Sequence, residues 1–208
     1  MSVRPFLFAC FIAALSHASA VAGEEFLATP AVDRTIYRDG EVRRMSATSG
    51  SWSVICDDVV RLRQRFCSLV TLGRDATGAA RVGLTVSTAD DGKPAALLRL
   101  PFGVVLRDGI EVIVSPGATS SPAPKGRAQP AEPPMRLQVV TCDKTACLTA
   151  WSLTPSQLAA LNRAGAIKFR YRALVADRLG MDIAQSGAPV EATVECLGFA
   201  EAVQATLK

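Results

Sequence analysis

An arginine, eleven mostly apolar residues and a small-x-small triplet open the chain: Arg4, then Pro5 to Leu15, then Ala18-Ser19-Ala20. That order marks an export signal, because signal peptidase accepts only small side chains beside the bond it cuts. It predicts a signal peptide over residues 1–20, with cleavage after Ala22 as the alternative. The mature chain is then expected in the periplasm, or secreted or held on the outer surface. The apolar run is too short for a permanent bilayer anchor. No later segment is long and apolar enough to add one, so the mature chain is expected to lack a transmembrane anchor. Leu7-Phe8-Ala9-Cys10 resembles a lipoprotein cleavage box, but too few residues precede Cys10 for a signal segment to end there.

The compartment decides what the cysteines do. Loss of residues 1–20 removes Arg4, Cys10 and the single histidine, His17, and leaves Cys56, Cys67, Cys142, Cys147 and Cys196. Outside the cytoplasm thiols pair, so two bridges and one leftover thiol are expected. Five choices of the odd thiol, each with three pairings of the rest, allow 15 two-bridge patterns, and spacing does not decide among them. A Cys56–Cys67 bridge would tie one strand to its neighbour, and Cys142–Cys147 is the natural second hairpin-type bridge. Redox chemistry is the rival reading, but four residues between Cys142 and Cys147 do not make the CxxC spacing that depresses a thiol pKa. Without a histidine or a CxxC pair the thiols make a poor tetrahedral zinc site, so no metal or other cofactor is expected. Cys196 is expected to be a buried, inert thiol.

The mature chain of 188 residues is long enough for one domain with a real core. It carries 22 lysines and arginines against 19 aspartates and glutamates, a net charge of +3 spread along the chain, so nucleic acid is not an expected partner. Residues 21–51 mix charges with Gly, Ser and Thr without a sustained apolar period and are expected to form a flexible tail, leaving the folded domain over 52–208. From Trp52 onward, short apolar or alternating runs are separated by turn residues, the pattern of an all-β domain. The predicted strands are Trp52–Cys56, Phe66–Leu72, Arg81–Ser87, Ala95–Leu100, Glu111–Val114, Arg136–Thr141, Cys147–Trp151, Ile167–Leu174 and Val190–Cys196. Ile167, Phe169 and Tyr171 alternate with Lys168, Arg170 and Arg172, which predicts one buried and one solvated face. Two short peripheral helices interrupt the strands. Thr154-Pro155-Ser156-Gln157 is a capping box with proline at the first helical position, predicting a helix to about Arg163 with Gly165 as its terminator. A second helix follows Gly198, with Phe199, Val203 and Leu207 on one stripe. The six prolines between Ser115 and Pro134 predict an exposed loop rather than a strand.

Chemistry is sparse. Without histidine no Ser-His-Asp or Cys-His arrangement forms, and Asp57-Asp58 and Asp90-Asp91 read as solvated turn residues. A Ser-Lys dyad has no motif to support it, so no catalytic residues are assigned and an enzyme is not expected. Arg61, Arg63 and Arg65 alternate; charges of this kind block strand-to-strand aggregation at a sheet edge, and that role is expected ahead of a basic edge for anionic lipid or lipopolysaccharide.

In order and spacing, Trp52-x-Val54-x-Cys56, Cys67-Ser-Leu-Val, Leu100-Pro-Phe-Gly-Val-Val-Leu-Arg-Asp-Gly109, the paired Cys142 and Cys147, and Gly198-Phe199-x-x-Ala202 resemble the invasion-associated locus B family of Gram-negative bacteria. The resemblance runs from about Trp52 to Leu207. It departs from the family pattern at Cys196 and in an enlarged proline-rich loop. It implies an immunoglobulin-like β-sandwich, periplasmic or surface-associated, with no known catalytic residues, and some members are associated with host-cell invasion. In the Pro101–Gly109 segment the glycines are expected to take positive φ, with Val104 and Leu106 alternating as on a strand. The leading expectation is a non-enzymatic envelope protein that binds an unknown protein or envelope component through exposed loops. A structural or stress-protective periplasmic protein is the alternative, and a redox or hydrolytic enzyme comes behind both.

Overall fold

The computed structural model describes residues 38, 40–117, 134–142, 146–174 and 187–206. The predicted signal peptide, most of the proline-rich loop and Leu207 lie outside them. Eleven strands form one antiparallel sheet. They are β1 (Val42–Ser49), β2 (Trp52–Val59), β3 (Gln64–Arg74), β4 (Ala80–Thr88), β5 (Pro94–Pro101), β6 (Ile110–Pro116), β7 (Met135–Leu137), β8 (Thr141–Cys142), β9 (Ala146–Ser152), β10 (Ala164–Ala173) and β11 (Ala188–Glu195), with helices α1 (Pro155–Arg163) and α2 (Phe199–Thr206).

Strand order is β7-β6-β10-β11-β3-β4-β5-β9-β8, with β2 also beside β3 and β1 beside β2. The all-β expectation holds, and so do the two helices. The immunoglobulin-like pairing of two separate sheets is not what the topology gives. β3 bonds to β2 over its first half, to β4 along its second half, and to β11 where Arg74 faces Thr193, so both walls of the core belong to one curled sheet. The bend falls at a glycine. β3 and β4 slip register between Gly73 and Arg74, and a Cβ on Gly73 would strike the Val82 side chain and lie 3.0 Å from Val194 Cγ2. A side chain there would push the walls apart.

The core fills the curl. Leu84, Val86, Leu98 and Leu100 from β4 and β5 join Ile110, Ile167, Phe169, Tyr171 and Val194 from β6, β10 and β11 in one buried cluster. The predicted alternation on β10 is present: Ile167, Phe169 and Tyr171 are buried. Its solvated face carries a ladder in which Lys168 and Arg170 reach Glu191 at 3.1 and 2.7 Å. Those two cations hold the Glu191 carboxyl below its ordinary range, Arg170 contributing most. Helix α2 packs on the sheet: Phe199 lies against the fully buried Trp52, ring centres 4.7 Å apart and planes tilted by 52°, and the Trp52 indole donates to Glu195 O at 3.1 Å.

α1 starts as predicted, with Gln157 N donating to Thr154 Oγ1 at 3.2 Å and Thr154 N to Gln157 Oε1 at 2.9 Å. It does not stop on Gly165. The chain passes at Ala164 straight into β10, and Gly165 instead packs against Gly117, where a Cβ would lie 2.9 Å from the Gly117 Cα. Three further expectations need correction. Within the segment 21–51, expected as a flexible tail, Val42–Ser49 form β1. That strand buries almost nothing; eight residues in register with β2 make it, from Val42 opposite Val59 to Ser49 opposite Trp52. The Arg136–Thr141 strand is split into β7 and β8. Asp57 is no solvated turn residue: it is fully buried in β2, held by Arg44 of β1 through two bonds of 2.8 Å.

Candidate functional site

Five cysteines were the first candidate residues, and the structure spreads them out. Cys56 and Cys67 are bridged, directly opposite in the β2–β3 register. Cys142 and Cys147 are bridged likewise between β8 and β9. These places share a physical property. β3 pairs with β4 only from Ser68 onward, so among the described residues 64–67 have β2 as their sole strand neighbour, and β8 is a two-residue strand at the end of the sheet. Each covalent link ties in a strand segment that has one strand neighbour, residues 64–67 to β2 and β8 to β9. Cys196 is unpaired and buried; burial pushes its thiol up to about 12, with the Glu195 carboxylate adding to the shift. A thiol held protonated this way is a poor nucleophile.

Among the described residues, no three His, Cys, Asp or Glu side chains converge to hold a metal. One apolar crevice opens between the walls of the curl beneath α1, lined by Val86, Val112, Met135, Trp151, Leu161 and Phe169 among others. Its cavity is about 50 Å³, far below the several hundred Å³ of a typical small-molecule site. The Trp151 indole N–H is buried without an acceptor among the described residues. The crevice is a packing gap rather than a ligand pocket.

The feature best placed to touch another molecule is the loop between β5 and β6. It is held rigidly. Val105 N donates to Arg172 O at 2.8 Å and Leu174 N to Gly103 O at 2.7 Å, and Val104 bridges to Ala173. Gly103 and Gly109 have φ of 97° and 68°, as the sequence led one to expect. Val104 is buried and anchors the loop. The expected strand alternation fails at Leu106, which begins a 3-10 turn through Asp108 and points outward. As a result Phe102 is 71% and Leu106 50% exposed, with Leu174 exposed beside them. Arg107 lies 3.5 Å from Asp108, and Arg172 donates to Gly187 O at 2.8 Å. This arrangement presents an aromatic and two leucines on a backbone held by hydrogen bonds to the end of β10, which lowers the ordering cost of binding. Sequence reasoning noted the glycines but missed the exposed Phe102 and Leu106. The available signal was the pair of turn glycines, Gly103 directly after Phe102 and Gly109 three residues after Leu106, which interrupt the apparent alternation of Phe102, Val104 and Leu106.

The family model described as "Invasion associated locus B (IalB) protein" matches residues 52–207. Among solved structures the chain is similar to the crystal structure of invasion associated protein B from Bartonella henselae. The two share 18% sequence identity and a TM-score of 0.54 over 77% of this chain and 94% of that one. No curated protein sequence matches the chain.

Proposed function

The chain belongs to the invasion associated locus B family, and from that premise we propose that it is a non-catalytic, exported binding protein of the cell envelope that contributes to host-cell interaction. In this reading residues 1–20 are removed as a signal peptide and the domain works in the periplasm or on the outer surface. Two bridged cysteine pairs support an oxidising compartment. The observation that carries the binding role is the pinned β5–β6 loop, which exposes Phe102 and Leu106 beside Leu174. A soluble protein keeps large apolar side chains clustered at a surface at some risk of aggregation, and contact with a partner offsets that risk. The partner is another protein or an envelope component.

Affinity capture from envelope extracts and host-cell lysates tests this, with the exported protein as bait beside its Phe102→Ser/Leu106→Ser variant. The reading expects a specific partner that the variant loses while its melting temperature holds. It fails if both baits recover the same background, and a deletion strain impaired only in envelope integrity would favour a structural role instead.

A further inference from the structure

The β1–β2–β3 hairpins project beyond β4 as a three-stranded finger. Among the described residues, 64–67 of β3 have no strand on their far side, and β1 is paired only with β2. The finger's far end is the 3-10 turn Val60–Leu62, closed by Arg63 at φ 52°. Val60 is 49% and Leu62 46% exposed there, and Met45 and Phe66 are exposed on the strands behind them. Charge concentrates on the same element. Residues 43–65 hold five arginines and two aspartates, a net +3, which equals the net charge of the entire chain without residues 1–20. Arg44 and Arg65 are paired with Asp57 and Asp58. Among the described residues, Arg61 and Arg63 form no ion pair. Edge protection does not account for these two, because they sit in a turn rather than along an edge strand.

From this juxtaposition we infer that the finger tip docks on an anionic phospholipid surface. Exposed aliphatic side chains next to unpaired guanidinium groups match the layering of a membrane interface. The apolar groups enter the acyl boundary, and the arginines stay at headgroup depth, where they bond phosphate oxygens. Val60 N donates to Glu41 O at 2.9 Å, so β1 begins beside the tip. The inference does not depend on what the β5–β6 loop binds. β5 begins at Pro94 opposite Thr88, on the finger's side, and ends at Pro101, so that loop leaves the sheet at the opposite end.

Vesicle flotation of the exported protein tests the assignment, using phosphatidylcholine vesicles with and without one third phosphatidylglycerol. Binding is expected only with phosphatidylglycerol, and is expected to weaken as salt rises. Arg61→Gln/Arg63→Gln is expected to weaken it by about thirty-fold, from the contribution of a basic side chain near an anionic leaflet. Arg136→Gln/Lys168→Gln, which removes the same charge from β7 and β10, is expected to leave affinity within about twofold of the parent. Val60→Ser/Leu62→Ser is expected to weaken binding while keeping its salt dependence. Unchanged melting temperatures establish that the variants fold. The assignment is overturned if the parent protein does not float with phosphatidylglycerol, if it floats equally without it, if the β7/β10 control loses as much as the tip variant, or if only lipopolysaccharide aggregates retain it.

Discussion

Replacing Cys56 and Cys67 together by alanine removes the covalent link from the stretch of β3 that pairs with β2 alone among the described residues. The bridge spans a sequence separation of 11. In the chain-entropy relation a loop of that size constrains the unfolded ensemble by about 3 kcal/mol at 25 °C. The Cys142–Cys147 bridge, at a separation of 5, gives about 2 kcal/mol by the same relation. Neither pair carries much core surface, apart from Cys147, which is buried, so loop closure should dominate at Cys56–Cys67. For a domain of this size, about 3 kcal/mol corresponds to a fall in Tm of roughly 6–12 °C. Urea unfolding at 25 °C of the parent, C56A/C67A and C142A/C147A proteins measures the free energies directly. The slopes should be compared, because a cross-link also alters the compactness of the unfolded chain. Amide exchange adds a local test: protection is expected to drop first in β1 and the first half of β3, which depend on β2 for their pairing. A C56A/C67A protein within about 1 kcal/mol of the parent, with β1 protection unchanged, would refute the reasoning.

Four shorter predictions accompany it. Cys196 in the oxidised native protein is expected to resist thiol reagents at pH 8 and to react fully in denaturant; rapid native labelling would contradict its burial. Asp75 accepts from Thr77, Ala79 and Arg81 in the β3–β4 turn, and these bonds, Thr77 foremost, hold its carboxyl well below the ordinary carboxylate range. A depressed folded-state pKa stabilises the fold above the unfolded value near 4 and loses that effect as pH falls through the folded value. The stability gap between the parent and Asp75→Asn is therefore expected to be full at pH 7 and to shrink in acid, and a gap that widens in acid would reverse the sign. Val112→Ile, which adds one methylene to the crevice beneath α1, is expected to stabilise by up to about 0.8 kcal/mol in urea unfolding. Arg44→Ala takes two hydrogen bonds from the fully buried Asp57 carboxylate and is expected to cost about 2 kcal/mol in urea unfolding; a change below about 0.5 kcal/mol would contradict it.

What could be read from the sequence was whatever a short window encodes. The alternation of Ile167, Phe169 and Tyr171 with charged residues marked β10, and Thr154 with Gln157 marked the start of α1. β1 was hidden because its residues bury little; its pairing with β2 supplies the hydrogen bonds, and no apolar period advertises them. The single curled sheet was hidden for a related reason. It depends on β3 being long enough for two partners on one side, β2 and then β11, a long-range fact set by the bend at Gly73. Asp57 looked solvated because its partner lies 13 residues away on another strand. In the candidate site the glycines and Val104 were visible, but the outward turn at Leu106 follows from bonds between the loop and β10.

Peptide mapping without reduction, on protein recovered from the periplasm, tests the central claim of an exported domain cross-linked by two disulfides. The account predicts a chain beginning at Val21, cross-linked peptides joining Cys56 to Cys67 and Cys142 to Cys147, and Cys196 free. A chain that still begins at Met1, with every thiol reduced and found in the cytosol, would contradict it.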